Sequence, residues 1–129
     1  MKKLALALLC TFAFATWSTA AELSDSDKQF LGNYEKIRAA LAADNLADAK
    51  KAAIEMGDDG APIAKSESII TARKEFATMS DKAIEMTKGQ SGYYRVNCPM
   101  VKKDWVQTSE KISNPYAGKE MLTCGVVKK

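Results

Sequence analysis

A long apolar stripe constrains this chain more than any other feature. Ile69, Ala72, Phe76, Met79, Ala83 and Met86 recur at alternating spacings of three and four residues. That is the period of one helix face, and it persists for about five turns. Such a helix buries one side and wets the other, so it needs partners built the same way. Two precede it. Phe30, Tyr34, Ile37 and Leu41 form one stripe, with Ser24 or Ser26 as the cap and Leu23 as the staple residue. Leu46, Ala49, Ala53 and Met56 form a shorter one, capped from Asp44-Asn45 and ended by Gly57. Pro62 suits the first position of the third helix, which Gly89 ends. These signals predict a mainly α chain, an antiparallel bundle of about three long helices.

The character changes after Gly89. Gly92 to Val96 is a short aromatic and β-branched run with strand character. Lys102 to Lys111, carrying Trp105, reads as a short helix. Asn114-Pro115-Tyr116-Ala117-Gly118 is turn chemistry, and Met121 to Val127 closes the chain. An irregular C-terminal tail packed on the bundle is the expectation.

The other end reads as an export leader. Lys2 and Lys3 precede an uncharged apolar run from Leu4 to Ala15, and small residues follow at Ser18 to Ala21. This is the three-part pattern of a cleavable signal peptide. Residues 1–21 are expected to be removed, which leaves 22–129 as one domain in the periplasm. The apolar run is short for a membrane span, and no second one follows it.

Composition narrows the function. The formal net charge is +3, and Lys2 and Lys3 supply two of those charges. Acidic and basic residues are interspersed along the helical segments, which argues against nucleic acid as a partner. There is no histidine in the chain. Ser–His–Asp and Cys–His nucleophile systems are therefore excluded, and most zinc sites lose their usual ligand. No arrangement of carboxylates or lysines suggests an enzyme.

Beyond the leader the chain has two cysteines, each with a methionine nearby: Cys98-Pro99-Met100 and Met121-Leu122-Thr123-Cys124. Thiolate and thioether are soft ligands that select copper(I) or silver(I). In an exported small domain, however, two cysteines most often form one structural disulfide, with the methionines beside it as gap-fillers in the core. The residues themselves leave both readings open. Met56, Met79 and Met86 fall on helical stripes and read as core, and Trp105 as the anchor of the tail.

The tail also carries a resemblance. Cys98-Pro99-Met100, then Trp105, then Asn114-Pro115-Tyr116-Ala117-Gly118-Lys119-Glu120-Met121-Leu122-Thr123-Cys124-Gly125 resembles the signature of an uncharacterised bacterial domain family. That family occurs alone in exported proteins and fused to periplasmic adaptors of copper and silver efflux pumps. Leu41, Ala49, Ala72-Arg73-x-x-Phe76 and Ser80 agree with its helical part. The resemblance implies a helical domain concerned with heavy metals, with Cys98, Met100, Met121 and Cys124 as ligands of copper(I) or silver(I). An efflux-pump or metal-handling protein of the envelope is the implied partner. The alternative is a disulfide-stabilised helical module that binds another envelope protein, with Tyr93, Trp105 and Tyr116 supplying contact area.

Overall fold

The structure is a computed structural model that describes residues 20–129. The body of the expected leader lies outside the described residues.

Four helices come first. α1 spans Asp25–Ala42 and opens on a capping box, with the Ser24 hydroxyl and the Asp27 carboxylate each bonded to the other's backbone N–H. α2 spans Leu46–Glu55 and is capped by Asn45, whose side chain accepts from the Asp48 N–H. Gly57–Gly60 is a 3-10 turn, and α3 is the single turn Ala61–Ala64. α4 spans Ile69–Met86 and is capped by Ser68. The expected stripes face inward: Phe30, Tyr34, Ile37 and Leu41 from α1, Ala49 and Ala53 from α2, and Ala72, Phe76, Met79 and Ala83 from α4 are all buried. Among the described residues, no helix is long and apolar enough to cross a membrane.

The expectation of a bundle of about three long helices is corrected in two ways. Among the described residues, only α1 and α4 are long, at 18 residues each. The helix expected from Pro62 is broken, because Ser66 turns its hydroxyl back onto the Pro62 carbonyl and Ser68 starts a new helix. The second correction is larger. The C-terminal third is built on a three-stranded antiparallel sheet, so the architecture is mixed α and β. β1 is Tyr94–Cys98, β2 is Lys103–Gln107 and β3 is Val126–Lys128, in the order β2-β1-β3. The segment expected to be a short helix around Trp105 is β2.

β1 and β2 form a hairpin in which Val96 faces Trp105 and Asn97 faces Asp104. β3 returns to the other side of β1, with Val127 opposite Val96. α4 packs against β2, and the loop from residue 108 to 125 covers the Val96–Trp105 side of the sheet. Gly125 makes this cover possible. A β-carbon there would press on Val96, Ile112 and Trp105 at once. β2 is therefore walled on both sides, and Trp105, Val106 and Gln107 are all buried.

Candidate functional site

The residues of the tail signature form a clamp, and the clamp sets the position of the cysteines. Asn114 is fully buried and holds the loop from inside. Its side-chain oxygen accepts from the N–H groups of Tyr116 and Ala117, and its amide donates to the Cys124 carbonyl at 3.1 Å. Its own N–H donates to the Leu122 carbonyl at 2.7 Å. Gln107 organises the preceding loop: its side chain accepts from the Trp105 indole and the Ser113 N–H, and donates to the carbonyls of Ser109 and Lys111. Among the described residues, every buried side-chain polar atom has a partner.

Helix residues grip this loop. Arg38 is held by Glu35 through two charge-assisted bonds and donates to the Ser113 carbonyl at 2.8 Å. Arg73 donates from Nε to the Pro115 carbonyl at 2.8 Å and from its other end to the Leu41 carbonyl and Asp44. Asp44 also accepts from the Lys119 N–H at 3.0 Å. That backbone bond first, and Arg73 second, hold its carboxyl below the usual range. Gly118 passes over this junction at φ 56°, where a β-carbon would overlap the Asp44 carboxylate.

A hydroxyl cluster lies beneath. The Tyr34 and Ser80 oxygens are 2.8 Å apart, and the Tyr116 hydroxyl lies 3.0 Å from Ser80 and 3.1 Å from the Asp104 carbonyl. Val106 donates its N–H to Tyr34 at 3.2 Å. Burial pushes both tyrosine hydroxyls well above their ordinary range, so they stay protonated donors. Asp104 behaves oppositely. Burial raises it, but bonds from Asn97 and Arg95 and the charges of Arg95 and Lys128 outweigh that and hold it low.

These contacts bring Cys98, at the end of β1, to Cys124, just before β3. Their Cα atoms are 5.5 Å apart and the sulfurs form a disulfide. Cys98 is fully buried and Cys124 half-buried. The methionines stand differently from the expected gap-fillers. Met100 sits on the hairpin turn and is 71% exposed, and half-buried Met121 is not packed into the core cluster. Met56, Met79 and Met86 do pack there. The structure thus joins the two cysteine segments and leaves both nearby thioethers outside the core.

The bond closes a loop between positions 26 apart in sequence. Its loss is expected to cost roughly 3 kcal/mol on the chain-entropy account. Denaturant melts with and without a reductant measure this. Equal midpoints would mean that the clamp alone sets the stability of the tail.

Bonded to each other, the two sulfurs are not thiolates, and this state does not fit a soft cation. Exchange with an external dithiol, which is itself oxidised to a disulfide, would give two thiols on the same two segments, and that donor set fits copper(I) or silver(I). Among the described residues, no group of three Asp, Glu or Cys side chains converges as a harder ion would need.

Of the residues proposed as protein contacts, Trp105 is fully buried and the Tyr116 hydroxyl is engaged inside. Neither is a free contact surface. Sequence reading missed Asn114 and Gln107 as organisers and Arg38 and Asp44 as grips. Asn114-Pro115 signalled a turn, but nothing local indicates which carbonyls an arginine 40 or more residues upstream will reach.

Comparison with models of known protein families, with curated proteins and with solved structures finds no match to this chain.

Proposed function

We propose that this is a heavy-metal-handling domain of the bacterial envelope that takes copper(I) or silver(I) as cargo in its dithiol state. Cys98 and Cys124 supply two thiolates, and Met100 and Met121 supply thioethers. The observation that carries this reading is the placement of those methionines. Both lie on the segments that the cysteines join, and neither is used by the core. Met100 is solvent-exposed two positions after Cys98, and its thioether is a soft donor. The likeness of the tail to the efflux-associated family points the same way.

Export belongs to this reading. The disulfide suits an oxidising compartment, and the leader pattern supplies the route. N-terminal sequencing of the processed protein should begin at Ala21 or Glu22. A mature protein that retains Met1 would overturn export.

A second reading has its own observation. With the disulfide closed, Met100, Leu122 and Val126 remain exposed at 71%, 38% and 62%. These apolar side chains suit contact with another envelope protein without any metal. A thiol count on protein purified from the periplasm, with mass spectrometry in the presence of copper(I) under reducing conditions, separates the two. One bound ion per reduced chain supports metal handling. No adduct on fully reduced protein leaves the docking module.

A further inference from the structure

A groove of about 320 Å³ runs between the C-terminal end of α4 and the β1–β3 side of the sheet. Its lining includes Lys88 from α4, Arg95 from β1, and Lys128 and Lys129 at the end of the chain, with Ile84 and Tyr93 as apolar neighbours. Among the described residues, no carboxylate side chain lines it. The concentration is local. Over the whole sequence, 19 basic residues are set against 16 acidic ones.

The four cations are unequally engaged. Lys88 pairs with Glu85, and both are more than half exposed. Arg95 is held by Asp104. Lys128 and Lys129 have no ion-pair partner among the described residues, and Arg95 and Lys128 sit opposite each other in the sheet register. Lys128 also acts on the Asp104 carboxyl, and Lys129 makes no ion pair among the described residues, so positive charge beyond the two ion pairs stands beside the half-buried ring of Tyr93.

We propose that this groove is a docking surface for an extended acidic segment of a partner protein, one in which carboxylates alternate with apolar side chains. Alternation follows from the geometry, because successive side chains of an extended chain point to opposite sides. One set can cover the half-buried ring of Tyr93 while the other meets the lysines. A concave, mixed lining fits a peptide better than the flat anionic surface of a bilayer. Exposed charge pairs are individually weak and screened by salt, so the binding is modest and strongly salt-dependent.

The test uses the processed protein with its disulfide intact and no metal, so it is independent of the sulfur site. A labelled peptide alternating glutamate and leucine is titrated by fluorescence anisotropy at low and high salt. Lys128→Glu/Lys129→Glu should weaken binding at least tenfold. Lys65→Glu/Lys74→Glu, an equal charge change on exposed positions away from the groove, should leave it within twofold. The glutamine-for-glutamate peptide should not bind, and the serine-for-leucine peptide should bind several-fold more weakly. Circular dichroism checks that each variant is folded. Equal loss in the two double variants, or no binding at low salt, overturns the proposal. So does tighter groove-dependent binding to phosphatidylglycerol vesicles than to the peptide, which would make the surface lipid-facing.

Discussion

The fully reduced protein should hold copper(I) against a competing copper(I) chelator, and the Cys98→Ser/Cys124→Ser variant should not. The expected difference is large because each cysteine contributes a charged, polarisable ligand, whereas serine is a hard, neutral donor. Each single serine variant should also lose tight binding. Met100→Leu and Met121→Leu should lose less, since a neutral thioether contributes less than a thiolate and leucine preserves side-chain volume. Met100 is exposed and Met121 lies outside the core cluster, so neither change should disturb the fold. Zinc should bind poorly. It could use both thiolates, but thioethers are poor partners for it and no histidine exists to complete a tetrahedron. Air oxidation should release the ion by closing the Cys98–Cys124 bond. If the reduced wild type and the double-serine variant compete equally poorly, the metal reading falls and the disulfide-stabilised docking module stands.

Phe76→Ala should destabilise the fold by about 3–5 kcal/mol. Phe76 is fully buried on α4 and stacks on Tyr34 with ring centroids 4.8 Å apart, while Tyr116 lies against it at 5.7 Å. Removing the ring loses its burial and leaves a cavity between α1, α4 and the tail. The neighbouring Tyr34–Ser80–Tyr116 hydroxyls would lose the wall that positions them. For a domain near 100 residues, each kcal/mol lowers the thermal midpoint by roughly 4–8 °C. The shift should therefore exceed about 10 °C by calorimetry or circular dichroism. Ile70→Ala, on the same helix but 77% exposed, should change stability by no more than about 0.5 kcal/mol. Equal midpoints for Phe76→Ala and the wild type would remove Phe76 from the core.

α1 and α2 were legible because their determinants are local: Ser24 and Asn45 cap them through bonds to residues three positions on, and apolar spacings of three and four reveal the buried face. The start of α4 was misplaced to Pro62, because the Ser66 turn and the Ser68 cap carry no apolar signal. The strands were less legible. A strand with one wet face alternates polar and apolar residues, but β2 is covered on both sides and buries Trp105, Val106 and Gln107 in succession. That run lacks the two-residue period that identifies a half-buried strand. β3 has only three residues and exists by pairing with β1.

At the candidate site, the sequence alone supplied the ligand chemistry: two cysteines, two nearby methionines and no imidazole. It left open whether the methionines serve the core and whether the cysteines, expected to meet, do so as a disulfide. Only the tertiary structure decided those points, and it did so through contacts between positions far apart in the chain. Asp44 meets Lys119 across 75 positions, Arg38 meets Ser113 across another 75, and Tyr34 meets Val106 across 72. Helix period and capping reflect bonds within a turn, which a linear reading captures. Strand pairing, the Gly118 and Gly125 close approaches and the joining of Cys98 to Cys124 depend on which surfaces remain once the helices have packed, and no local pattern encodes that.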